Sequence, residues 1–88
     1  MERSHNGIQR YFVERILPVL RKAHGSDLRA LCSYDTGVKR MEFELCHEFM
    51  GEKVFVISQE TLDAYAEVLT RKSGLNFSAG KNRLIIEW

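Results

Sequence analysis

Hydrophobic and polar positions follow the clearest pattern over residues 40–69, RMEFELCHEFMGEKVFVISQETLDAYAEVL. The first part alternates apolar and polar residues, which is typical of a half-buried strand. A turn at Gly51-Glu52 then predicts a second strand over residues 53–57, with Val54 and Val56 on the core face. Ser58 predicts an N-cap for a helix that follows. Its buried stripe is Leu62, Tyr65, Ala66 and Leu69.

An earlier amphipathic helix is predicted from apolar residues at helical spacing. They are Ile8, Tyr11, Phe12, Ile16, Val19, Leu20 and Ala23. Asn6 is the predicted N-cap, which leaves residues 1–6 as a short frayed tail. Pro18 lies inside this helix and lacks the N–H that an α-helix requires, so we expect a kink over residues 14–17.

One further strand, residues 28–34, precedes the alternating strand, which is predicted over residues 39–47, and a turn at Asp35-Thr36-Gly37 joins the two. Pairing Tyr34 with Lys39 places six apolar side chains on one face, whereas a slip of one residue mixes the faces. The six are Leu28, Ala30, Cys32, Met41, Phe43 and Leu45. This register also sets Arg29 opposite Glu44 as a cross-strand ion pair. Residues 83–88 predict a last strand, which could insert at either edge of the sheet.

The predicted order is therefore α-β-β-β-α-β. It indicates an α+β fold in which residues 1–88 form a single two-layer domain. We expect an antiparallel meander with two helices packed on one face.

The composition argues against a dedicated nucleic-acid-binding protein, a membrane-spanning protein and a secreted protein. The chain has 13 basic and 12 acidic residues and a net charge of +1, without the basic excess of a dedicated nucleic-acid-binding protein. Its longest apolar run has four residues, Val54 to Ile57, against the ~20 of a membrane span. MERSHNGIQR lacks the apolar region of a secretory signal, and two cysteines suit a reducing compartment. We expect a cytoplasmic protein with free thiols.

Cysteine and histidine residues are the candidate metal ligands and catalytic groups of this chain. Cys46 and His47 are neighbours on a strand and point to opposite faces, and Cys32 is predicted about 16 Å from Cys46, so we expect neither a metal site nor a disulfide. A thiol enzyme would use Cys46 with Asp27 and His24, yet no oxyanion site accompanies them. The glycines of residues 74–82 miss the phosphate-loop spacing. We expect no cofactor and no catalytic residue, with a small thiol enzyme as a distant alternative.

The order α-β-β-β-α resembles that of the double-stranded RNA-binding domain. Such domains present lysines at the start of the second helix, whereas this helix opens with the acidic stretch Gln59-Glu60-Thr61-Leu62-Asp63. A nucleic-acid-binding regulator is therefore the alternative function. Its predicted contact residues lie on the first helix, at Arg10, Arg21 and Lys22.

The main prediction concerns the face of the sheet that points away from the helices. Its apolar residues are predicted to be Leu31, Cys46, Phe55, Ile57 and Ile85, beside Glu42, Glu44 and Glu48. Either one helix covers this face, or a partner protein or a second copy does, because monomers rarely leave a large apolar patch in water. We therefore predict a small non-enzymatic protein-interaction module, acting as a regulator, adaptor or inhibitor.

Overall fold

The first helix is one continuous stretch built from three segments. In the computed structural model, which describes residues 1–88, these are α1 (His5–Tyr11), a π-helical segment (Phe12–Ile16) and α2 (Leu17–His24). The Leu17 N–H donates to the Phe12 carbonyl, five residues back. The π-helical segment lies where the kink was predicted, because the Pro18 ring cannot fit against the carbonyl four residues before it.

The start of this helix differs from the prediction. Ser4, and not Asn6, is the N-cap, and its hydroxyl accepts from the Gly7 N–H at 3.0 Å. The helix begins at His5, inside the stretch expected to be frayed. The His5 ring stacks on Tyr34 and its Nε2 lies 2.7 Å from the Val38 carbonyl oxygen, which fixes the helix start to the loop that follows Tyr34.

Five antiparallel strands form the sheet. They are β1 (Arg29–Tyr34), β2 (Arg40–Phe49), β3 (Glu52–Val54), β4 (Asn76–Gly80) and β5 (Arg83–Glu87), and helix α3 (Gln59–Ser73) lies between β3 and β4. The spatial order is β1-β2-β5-β4, with β3 paired to the far end of β2. The α+β class is confirmed, with both helices on one face. No helix has the length and apolar character needed to cross a membrane.

Strand β4 was not predicted. Residues 76–80 give little strand signal, because the five-residue stretch contains serine and glycine. The open question of the last strand is also resolved: β5 pairs with β2 on one side and with β4 on the other.

The β1–β2 register differs from the predicted one by two residues. Tyr34 lies opposite Met41 and Arg29 lies opposite Cys46, so the predicted Arg29–Glu44 pair is wrong. Arg29 instead forms an ion pair with Glu48. Burial fixes only which face a side chain takes, and a shift of two residues keeps every side chain on its face.

The strand after the hairpin turn is shorter than predicted. β3 ends at Val54, and Val54 and Val56 are exposed. Ile57 is only 6% exposed and belongs to the core, so its predicted position on the opposite face is wrong. Ser58 caps α3, which puts Ile57 and Leu62 at the two positions of a hydrophobic staple. The start of α3 therefore draws Ile57 inward.

The core lies between the helices and one face of the sheet. Phe12 stacks on Phe43 with ring centroids 3.8 Å apart. The central strands contribute the alternate residues Met41, Phe43, Leu45, Leu84 and Ile86, all buried. The other face of the same strands is therefore the one that points away from the helices.

Candidate protein-interaction surfaces

The face of the sheet away from the helices carries a network of ion pairs. Arg83 contacts Glu42 at 3.0 Å and Glu44 at 3.2 Å, and Lys53 donates to Glu44 at 2.7 Å. The acidic side chains lie on β2 and the basic ones on its neighbours β3 and β5, so the opposite charges neutralise one another. This face of the sheet is consequently more polar than the predicted apolar interface.

Of the five residues predicted for a partner interface, the structure leaves three accessible. Leu31 and Ile85 are half-buried on the face away from the helices, and Phe55 is 43% exposed beyond the end of β3. Cys46 is fully buried and Ile57 lies in the core. The predicted set does not form one continuous surface.

A second group of apolar residues surrounds the turn between β2 and β3. Phe49 is 69% exposed and Met50 is 88% exposed. The hairpin surface is defined here as Phe49, Met50, Val54, Phe55 and Val56, all exposed. Phe49 pairs with Glu52 and His47 pairs with Val54, so Phe49 and Val54 are diagonal neighbours on one face. Five large apolar side chains thus lie within eight consecutive residues.

Met50 occupies an unfavourable backbone conformation. Its φ is +53° and that of Gly51 is +79°, so the turn is Met50-Gly51 and not the predicted Gly51-Glu52. Asparagine or glycine is preferred where φ is positive in such a hairpin turn. A long apolar side chain at this position costs about 1–2 kcal/mol relative to glycine. The Met50 side chain is exposed to solvent despite this unfavourable backbone conformation.

The hairpin is tied to the body of the domain close to its base. His47 Nε2 lies 2.8 Å from the carbonyl oxygen of His24, at the end of α2. His24 in turn hydrogen-bonds Tyr65 of α3 at 2.7 Å. Gly25 permits this approach, since a Cβ there would lie 2.9 Å from the His47 ring. Both helices therefore position the hairpin.

The thiol groups are placed unfavourably for nucleophilic chemistry. Cys46 faces Arg29 across the strands, so the predicted juxtaposition with Asp27 is wrong. Burial, followed by the charge of Glu44, raises the pKa of the Cys46 thiol. Burial also raises the pKa of Cys32. Both thiols are free, and no group of three or more His, Cys, Asp or Glu side chains could hold a metal ion.

The basic residues considered for nucleic-acid contact lie on the surface of the first helix. Arg10, Arg21 and Lys22 are exposed. Arg21 also has a structural contact, because its Nε donates to the Leu28 carbonyl at 2.9 Å and holds the chain that leads into β1. A nucleic-acid interface at these residues stays a prediction.

Sequence reasoning missed Phe49 and Met50 as surface residues. The available signal was two large apolar residues directly before a turn glycine, where polar residues are usual. The chain matches no protein-family model, no curated protein and no solved structure.

Proposed function

We propose that this chain is a non-enzymatic protein-interaction module that binds a partner protein through the hairpin surface, as a regulator, adaptor or inhibitor. The supporting observation is the exposure of five large apolar side chains within residues 49–56. Folded monomers seldom expose contiguous apolar surface without a use for it. The free thiols suit a reducing compartment, and we propose the cytoplasm.

The composition of the hairpin surface resembles that of binding hot spots. Phenylalanine and methionine are enriched at interface centres, and charged residues form the rim. Here Phe49, Met50 and Phe55 are flanked by Glu48, Glu52 and Lys53. The complementary site on the partner is therefore an apolar pocket with a mainly basic border.

Phe55 belongs both to this surface and to the interface predicted on the sheet face away from the helices. Leu31 and Ile85 of that face are separated from Phe55 by charged side chains, among them the ion-paired Lys53. The hairpin surface therefore supports partner binding better than the sheet face does.

The test is affinity capture from the organism that encodes the chain, with wild-type protein and a Phe49→Ser/Phe55→Ser variant. Both side chains are exposed in the free domain, so the substitutions leave the 16-residue core intact. We expect a partner captured by the wild type to be lost with the variant. Circular dichroism and urea unfolding check that the variant is folded.

Val19→Thr is the matched control. Val19 is 66% exposed on α2, away from the hairpin, and threonine has nearly the same shape. Capture should be unchanged by this substitution. Equal capture by all three proteins, or loss of capture with Val19→Thr alone, would contradict the proposal.

A further inference from the structure

Strand β1 is an open edge of the sheet with unpaired backbone groups. The Leu45 N–H donates to the Asn82 carbonyl, and the Trp88 N–H donates to the Lys39 carbonyl, so odd-numbered residues of β2 direct their peptide groups toward β5. The even-numbered residues of β2 consequently face β1, where they pair with Arg29, Leu31 and Ser33. The N–H and C=O groups of Ala30, Cys32 and Tyr34 therefore point away from the sheet.

The opposite edge, β4, is partly capped by a side chain. Thr70 of α3 accepts from the Phe77 N–H at 2.9 Å and donates to the Phe77 carbonyl at 3.1 Å or the Ala66 carbonyl at 2.8 Å. Phe77 is the one buried residue of β4. No side chain hydrogen-bonds the outward groups of β1 in this way. An unpaired edge of this kind is a template for another strand.

We propose that β1 pairs antiparallel with β1 of a second copy of this chain, joining the two sheets across a twofold axis at Cys32. Ala30 of each copy then lies opposite Tyr34 of the other, and Cys32 lies opposite Cys32. Each of these three pairs exchanges two backbone hydrogen bonds. The hairpin surface takes no part, so this contact is independent of the proposed partner binding.

Charge complementarity selects the second copy and this register. With Cys32 on the axis, Arg29 of each copy faces Asp35 of the other, which gives two opposite-charge pairs. A shift of the register in one direction sets Asp27 against Asp35, and a shift in the other sets Leu31 against Asp35. The chosen register also places the small Ala30 side chain beside the larger Tyr34.

The register makes a specific prediction for amide hydrogen exchange. As protein concentration rises, the amides of Ala30, Cys32 and Tyr34 should gain protection, whereas those of Leu31 and Ser33 are already bonded to β2 and should change little. Sedimentation equilibrium should show the mass moving from 10.2 kDa toward twice that value over the same range.

Charge variants test the pairing of Arg29 with Asp35. Arg29→Glu should weaken dimerisation by about tenfold, because two attractive cross-strand pairs become repulsive. Asp35→Asn should weaken it less, since asparagine keeps the oxygen that accepts from Gly37. Glu48→Gln is the control, because it removes the Arg29–Glu48 ion pair within one copy and leaves the contact with Asp35 in place.

Three results would overturn the inference. The first is a mass of 10.2 kDa at every concentration, including a monomer that binds an extended peptide at β1. The second is a dimer in which the amides of Ala30, Cys32 and Tyr34 remain unprotected. The third is a dimer that Arg29→Glu and Glu48→Gln weaken equally.

Discussion

Cys46 and Lys53 differ in how their surroundings change the proton affinity of a single side chain. Cys46 is fully buried beside the Glu44 and Glu48 carboxylates, so its neutral form is favoured. Lys53 is exposed, and its ammonium group donates to Glu44 at 2.7 Å, so its charged form is favoured. The pKa of each group is raised, chiefly by burial for Cys46 and by the hydrogen bond to Glu44 for Lys53, and the charge of Glu44 contributes to both.

The burial of Cys46 predicts slow reaction with thiol reagents. The thiolate is the reactive form, and a raised pKa together with full burial lowers both its population and its access to the reagent. In single-cysteine variants, the half-buried Cys32 should label first, and Cys46 should label only as the domain unfolds. Labelling kinetics with and without urea measure this. Labelling of Cys46 in the folded protein at the rate of an unfolded thiol would contradict the placement.

The Lys53–Glu44 contact predicts a pH dependence of stability. The hydrogen bond to Glu44, followed by the attraction between the two charges, raises the folded-state pKa of Lys53 above the unfolded value of about 10.4. Its contribution is fully present below that unfolded pKa and is lost as pH rises through the folded pKa. The stability difference between wild type and Lys53→Met should therefore shrink in strongly alkaline solution.

Urea unfolding at a series of pH values measures this difference. Lys81→Met is the control for removal of a charge alone, because Lys81 forms no ion pair in the structure. A difference between wild type and Lys53→Met that grows with increasing pH would be inconsistent with the contact.

At the scale of single elements, strand edges are treated in two ways. On β4 the Thr70 hydroxyl bonds the outward peptide groups of Phe77, whereas on β1 no side chain bonds the outward peptide groups. The hairpin of β2 and β3 is held through His47 and Lys53 at its base, and its apolar tip remains in solvent. The β1 edge and the apolar tip of the hairpin are therefore the two parts of the sheet that remain available for contact.

Thr70→Val should destabilise the domain. The two side chains have nearly the same shape, but valine leaves the Phe77 N–H without its partner in a part-buried site, which costs about 1–3 kcal/mol. Urea unfolding measures the change. Thr70→Ser keeps the hydroxyl and should retain most of the stability. If Thr70→Val lost no more stability than Thr70→Ser, the hydroxyl contact would be unimportant.

The particular elements show what the amino-acid pattern could predict. Strong periodicity in β2 and α3, with the Ser58 cap, determines the fold class and the core face. Periodicity does not determine how far two strands slide by an even number of residues, so the Arg29 pairing was wrong. It also treats Val54 to Ile57 as uniformly strand-like, whereas the packing of Ile57 beneath α3 ends β3 early.

The candidate site was harder to predict than the fold. The apolar surroundings of Phe55 identify it, but Phe49 and Met50 lie between the predicted strand over residues 39–47 and the predicted turn at Gly51-Glu52, where the pattern predicts no role for them. Their exposure depends on where the chain leaves the sheet, which is set by tertiary contacts such as the His47–His24 hydrogen bond. Local pattern carries no information on such contacts.

The whole molecule has one covered and one uncovered face of its sheet. Two helices cover the core face, and ion pairs among Arg83, Glu42, Glu44 and Lys53 make the other face compatible with water. The hairpin surface projects from one end of this two-layer body, and the β1 edge runs along one side. A module that self-associates at β1 would thereby present two hairpin surfaces to its partners.

Isothermal titration calorimetry with the purified captured partner tests the central claim most directly. Each exposed phenylalanine at an interface centre commonly contributes more than about 1 kcal/mol, so Phe49→Ser/Phe55→Ser should weaken binding by at least about tenfold, and Val19→Thr should leave it unchanged. Equal affinity of the wild type and the Phe49→Ser/Phe55→Ser variant, with both proteins folded, would show that the hairpin surface is not the binding site.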